Sequence, residues 1–174
     1  KLREVLTPIA EWLTDANGKY GLLLYGSVGT GKTTALYAIK RVINACFEAE
    51  RDDRTLLGYG KEVIDVVNAK AIVDSYQGNR AFFDTMRKVD FIGIDELGVE
   101  NIDIKTFGNS AEPIIDLLSS RYERQRVTIV TSNLTMKQIS ERYGLRLADR
   151  INEMFQKVAF VGSSYRGYAR QEKQ

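Results

Sequence analysis

The stretch "GSVGTGKTT" (26–34) sets Gly26, Gly31, Lys32 and Thr33 in the spacing G-x-x-x-x-G-K-[ST], between the apolar run "YGLLLY" and the helix-like run "ALYAIKRVINACF". Glycines at these intervals let successive backbone N–H groups face one concavity, and a helix starting there aims its positive end at the same point. The lysine reaches outer phosphates and the hydroxyl after it suits magnesium. This is the chemistry of a triphosphate cradle. Gly26, Ser27, Val28, Gly29, Thr30, Gly31, Lys32, Thr33 and Thr34 are therefore candidate contacts for ATP with Mg2+. A flexible glycine-rich turn is the plainer alternative, but the flanking strand and helix favour the cradle. The spacing is not G-x-G-x-x-G, which disfavours a dinucleotide turn.

A phosphate cradle needs acids from another strand, and "FIGIDELG" ends an apolar run on Asp95 and Glu96. Asp95 suits the magnesium with Thr33, while Glu96 suits orienting and deprotonating the attacking water. Two acids closing a buried strand cost desolvation unless a cation or water serves them. Acids in a solvated turn are the simpler reading of the pair taken alone. Glu directly after Asp points to ATP hydrolysis rather than to GTP hydrolysis, and no guanine-reading N-K-x-D is evident.

The elements that must position these residues alternate. Apolar runs at 20–26, 62–68, 89–95, 126–133 and 157–162 read as five buried strands. Between them Leu36, Ile39, Ile43 and Phe47 follow helical spacing, as do Ile72, Tyr76, Phe82, Phe83 and Met86 with a break at "QGN". Pro113 suits the first turn of "PIIDLLSSRYERQ", Gly144 suits the end of "LTMKQISERYG", and "LRLADRINEMF" begins another helix. Alternation implies an α/β domain with a mainly parallel sheet covered on both faces. Residues 48–61 and 98–112 lack a clear period and read as loops.

Composition removes other chemistries. The chain has no histidine, which excludes Ser-His-Asp catalysis and the usual zinc sites, and its one cysteine, Cys46, cannot form an intrachain disulfide. A net charge of +2 is too mild to argue nucleic-acid binding by itself. No apolar stretch is long enough for a bilayer and no signal-peptide block is evident, so a cytoplasmic protein without a membrane partner is expected. Since the first residue is Lys, the sequence is expected to begin inside a longer protein, this single domain lacking an N-terminal partner-binding domain.

"GSVGTGKT", "FIGIDELG", "TIVTSN" and "RLADRINEMF", in that order, resemble the AAA+ ATPases, and specifically the DnaC/DnaI-type helicase loaders and their IstB-type transposition relatives. The similarity covers nearly the whole chain. It implies a P-loop NTPase with an AAA+ core, a three-layer α/β/α sandwich whose five-stranded parallel sheet runs in the order 5-1-4-3-2. It places Asn133 beside the terminal phosphate as a sensor, although a strand-end asparagine capping the next helix fits equally. Arg150, with Arg146 one turn away, resembles the finger that reaches a neighbouring subunit's ATP, which would make self-assembly a condition of hydrolysis. A solvated pairing of Arg150 with Glu153 or Asp149 is the alternative. Arg166 resembles a loader element that either senses nucleotide or contacts DNA. Only eight residues follow it, so no C-terminal lid domain is expected.

The resemblance implies a replication role on single-stranded DNA or a replicative ring helicase. A transposition helper with a transposase partner, or an ATP-holding module without turnover, are the alternatives. In "SYQGNRAFFDTMRK", Tyr76, Arg80, Phe82, Phe83, Arg87 and Lys88 are candidate DNA contacts, with Phe82 and Phe83 alternatively core. A small-molecule kinase would need an acceptor pocket and an arginine-rich lid, neither of which the sequence displays.

Overall fold

The computed structural model describes residues 2–49, 64–106 and 109–162. Along the chain run α1 (Leu2–Thr14), β1 (Gly21–Gly26), α2 (Lys32–Ala49), β2 (Ile64–Asn68), α3 (Ala69–Gly78), α4 (Arg80–Met86) and β3 (Phe91–Leu97). They are followed by β4 (Ile104–Thr106), β5 (Asn109–Ala111), α5 (Pro113–Glu123), β6 (Val127–Ser132), α6 (Met136–Tyr143), α7 (Leu145–Met154) and β7 (Phe155–Phe160). The main sheet is β2-β3-β6-β1-β7, with every pairing parallel. Counting only its five strands in chain order, this is the expected 5-1-4-3-2.

Both faces of the sheet are buried, which explains the unbroken apolar runs. In β1, Leu22 and Leu24 join α1 and α2 through Ile9, Trp12, Leu36, Ile39 and Ile43. Leu23, pointing the other way, joins Ile72, Phe83, Leu117, Ile139 and Ile151 from α3 to α7. The three layers follow from that alternation.

Three features depart from expectation. Residues 98–112 are not wholly loop: β4 and β5 pair antiparallel with Ile104 opposite Ala111, segments too short to carry a sequence period. Helix α1 is an element that the sequence pattern does not announce. Its Val5, Ile9 and Trp12 are helically spaced, but Pro8 in its middle removes a backbone donor. The last strand begins at Phe155 rather than Lys157, because α7 passes directly into it. Of the 48–61 stretch, residues 48 and 49 complete α2 and the remainder lies outside the described residues.

One buried side chain ties the layers at the edge where the strands begin. Arg121 on α5 is 0% exposed. Its guanidinium donates to Thr128 Oγ1 at 2.9 Å and to the carbonyls of Met86 at 2.7 Å, Val89 at 2.9 Å and Val127 at 2.7 Å. Burial first, then the Arg126 cation, lowers its pKa to about 10, so it stays charged at neutral pH. Partners that are mostly carbonyls solvate it, with no carboxylate in hydrogen-bond contact among the described residues. Arg121→Ala would leave those acceptors buried and unmet, and is expected to cost about 3 kcal/mol or more in urea unfolding. A loss below about 1 kcal/mol would mean the clamp is not structural.

Candidate nucleotide site

Each candidate of the glycine loop sits where β1 gives way to α2, at the edge formed by the strands' C-terminal ends. Gly26, Gly29 and Gly31 all have positive φ, at 133°, 78° and 94°. The glycines differ in what they permit. A Cβ on Gly26 would lie 2.4 Å from the carbonyl oxygen of Phe160 in β7, so this glycine admits the neighbouring strand. A Cβ on Gly31 would meet nothing within 4 Å, so this glycine keeps the concavity open. Thr30 closes the loop by donating its hydroxyl to Ser27 O at 2.8 Å, and Ala35 N–H to Gly31 O at 2.9 Å starts the helix. Lys32 is buried and donates to the carbonyls of Gly26 at 2.8 Å and Ser27 at 2.6 Å, which draws its ammonium into the loop. Ser27, Val28, Thr33 and Thr34 are exposed around it.

The acids arrive on a bulge. Between Ile94 and Leu97 the β3–β6 register shifts, and Glu96 takes φ 60°, a conformation costing a non-glycine residue about 1–2 kcal/mol. Thr131 occupies the mismatch. Its hydroxyl donates to Asp95 Oδ1 at 2.5 Å and accepts the Glu96 N–H at 2.9 Å. Asp95 Oδ1 also accepts the Thr33 hydroxyl at 3.0 Å, joining the two motifs across 62 residues of chain. The Glu96 carboxylate turns toward β2, where Asn68 Nδ2 donates to its Oε2 at 2.9 Å. Thr131 and Asn68 escaped the sequence reading. Each stands at or near the end of a strand run, but only the register opposite β3 marks them.

The donor set fits the ligands the motifs imply. Thr33 and Asp95 offer two hard oxygens within hydrogen-bond distance of each other, which suits Mg2+ with its remaining positions filled by phosphate and water. The open concavity at Gly31 and the inward ammonium of Lys32 fit a phosphate chain.

The remaining candidates separate. Asn133 is exposed just beyond β6, at the same edge as Asp95. Arg150 lies elsewhere. Its Nη2 is 3.3 Å from Glu123 Oε1, and its guanidinium stacks 5.3 Å from the Tyr122 ring. Its carboxylate partner is therefore Glu123, neither Asp149 nor Glu153; Glu153 instead accepts the Tyr122 hydroxyl at 2.6 Å. Glu123 ends α5 just before β6 begins, so Arg150 stands toward the opposite edge of the sheet from its own glycine loop. Arg146 is exposed one turn earlier on α7. Arg166 lies outside the described residues.

The aromatic and basic stretch at 75–88 is largely closed. Phe83 is buried, Tyr76 has Arg80 4.0 Å over its ring, and Arg80 and Arg87 both pair with Asp84 and Asp116. Phe82 alone of the stretch's three aromatic rings is exposed, and Lys88 is exposed with it. The two helices of the stretch share Asn79, and their apolar faces turn inward.

The chain is 27% identical to the Replication factor C large subunit of Thermoplasma acidophilum, over 88% of this chain and 38% of that protein, so it spans well under half of that relative. No protein-family model matches. Among solved structures it superposes on the DnaC helicase loader with a TM-score of 0.60 at 20% identity, covering 91% of this chain and 88% of that one. For DnaI the TM-score is 0.62 at 20% identity, over 94% and 82%. The fold is that of the helicase loaders. The replication initiator DnaA, solved with AMPPCP and single-stranded DNA, shares it at a TM-score of 0.56 and 17% identity, over 96% of this chain and 49% of that one. Among the described residues no helix is long and apolar enough to cross a membrane.

Two expected outcomes follow from this geometry. Gly26→Ala forces a Cβ against β7 backbone and should cost several kcal/mol, whereas Gly31→Ala meets only its strained φ, at about 1–2 kcal/mol. Equal losses in urea unfolding would contradict the division of roles. Burial first, then Tyr122 and Glu153, raises the Tyr20 phenol to about 12, and burial with the bond to Glu100 raises that of Tyr143. Phenols raised on folding add stability that is fully present below their unfolded value of about 10 and lost as pH rises through the folded one. Unfolding free energy should therefore fall between about pH 10 and 12, with Tyr143→Phe showing a shallower fall. An unchanged slope in the variant would refute the assignment.

Proposed function

We propose that the chain is an ATP-binding and ATP-hydrolysing switch of the DnaC/DnaI loader type, acting in DNA replication on single-stranded DNA or a ring helicase. The observation that carries this is the hydrogen bond from Thr33 to Asp95, which brings the glycine loop and the acidic strand into one site with Glu96 adjoining. The loader fold and the replication relative support the setting, and the AMPPCP of DnaA supports the ligand class.

In this reading the loop amides and Lys32 hold the phosphates of ATP. Thr33 and Asp95 would hold Mg2+, which when bound neutralises charge on the phosphate oxygens. Glu96, once turned from Asn68, takes the proton of the attacking water. Asn133 lies at the proper edge to meet the terminal phosphate. Arg150 serves a neighbour. A six-residue strand such as β1 spans roughly 20 Å, so an arginine at the far edge cannot reach its own loop, and its use in hydrolysis requires a second subunit.

Titration with fluorescent ATP and Mg2+ should saturate for the parent and for Glu96→Gln but not for Lys32→Ala. Turnover should rise with protein concentration, vanish in Glu96→Gln and drop by ten-fold or more in Arg150→Ala. Saturable binding with no turnover under any assembly condition would leave an ATP-holding module in place of an enzyme. A rate per subunit independent of concentration and of Arg150 would remove the trans arginine.

A further inference from the structure

Four residues beyond Glu96 lies a carboxylate that none of the motifs assigns. Glu100 is 2% exposed. Its Oε2 accepts the Gly98 N–H at 2.8 Å, and its Oε1 accepts the Tyr143 hydroxyl and lies 3.7 Å from Arg142 Nη2. The Glu100 carbonyl accepts a further bond from Arg142. Burying a carboxylate costs several kcal/mol unless its partners are well placed, so an apolar side chain would fill this space at lower cost if packing were its task. What these bonds secure is geometry at both ends.

At one end is the turn that leaves the bulge. Val99 N–H donates to the Glu96 carbonyl at 3.3 Å and Gly98 N–H to Glu100, so the left-handed Glu96 is held from behind by this turn as it is from the front by Thr131. At the other end Arg142 and Tyr143 close α6, and Gly144 with φ 84° opens directly into α7, the helix of Arg146 and Arg150. Helices α6 and α7 also share the core beneath, through Ile139, Tyr143, Leu147 and Ile151.

We propose that Glu100 is a positioning residue that fixes the backbone of Glu96 and ties it to α6 and α7, so that the placement of the water-activating carboxylate follows the placement of the arginine helix. The proposal rests on the ATPase reading for its consequence but not for its geometry. It acts on turnover rather than on nucleotide uptake, because neither Glu100 nor Tyr143 touches the glycine loop.

The test compares Glu100→Ala and Tyr143→Phe with the parent, using ATP affinity, turnover at saturating ATP and amide hydrogen exchange over residues 96–99. Ile43→Val serves as a control that loosens the core on the other face of the sheet without touching the carboxylate, α6 or α7. The expected result is ATP affinity within two-fold of the parent, turnover lower by ten-fold or more in Glu100→Ala and by about three-fold in Tyr143→Phe, and faster exchange at Gly98 and Val99. The control should keep parental turnover and exchange. Affinity and turnover falling together, or the control matching Glu100→Ala, would reduce Glu100 to a packing role and overturn the proposal. If Glu100→Ala does not fold, Tyr143→Phe decides alone, and parental turnover with parental exchange refutes it. Should the parent itself show no turnover, the ATPase reading fails while exchange at 96–99 still decides whether Glu100 holds Glu96.

Discussion

The hydroxyl of Thr131 is the contact on which the site's geometry depends. A threonine hydroxyl has one proton to give and lone pairs to accept, and here the proton goes to Asp95 while a lone pair takes the Glu96 amide. Without it the bulge would hold a strained residue of about 1–2 kcal/mol and an amide without its strand partner. A hydrogen bond to a charged group contributes about 1.5–3 kcal/mol, enough to offset that strain. The bulge thereby persists, Asp95 reaches Thr33, and Glu96 faces the β2 side. Two adjacent acids on an unbulged strand would point to opposite faces of the sheet.

The sheet then acts as a spacer between two edges of different character. Where the strands end, positive-φ glycines and a buried lysine make the loop concave. Where the strands begin, Arg121 draws the ends of α4 and α5 and the entry of β6 together through carbonyl oxygens. Side chains packed on both faces keep the edges at a constant separation. This is why Arg150, held at the second edge by Glu123 and Tyr122, stands apart from the glycine loop of its own chain.

Arginine shows how little residue type decides by itself. Arg121 is entombed, Arg80 and Arg87 are paired at 3.6–4.0 Å with Asp84 and Asp116, and Arg150 lies over Tyr122 and pairs with Glu123. Those four side chains carry one charge each and have three different fates. The basic and aromatic stretch is partly taken up within the molecule for this reason: Asp116 comes from α5, far along the chain, and Phe83 turns into the core with the helix that bears it. The loader-type role consequently draws its support from the nucleotide site and the fold rather than from that surface.

By itself the amino-acid sequence determined the glycine loop, the acidic strand, the alternation of strands and helices and, by family resemblance, the order of the sheet. These are local patterns: a turn needing positive φ, a run buried on both faces and a helix after a glycine all leave marks within about ten residues. Asn68, Thr131, Glu100 and Arg121 leave no such mark. Each has at least one partner far along the chain, at 28 residues for Asn68, 35 and 36 for Thr131, 43 for Glu100, and 32 and 35 for Arg121. Each becomes informative only when a bulge, a buried charge or a strand register brings it opposite a group whose hydrogen-bonding need it meets. Tertiary structure decided those pairings, because unmet polar groups are costly only where water has been excluded.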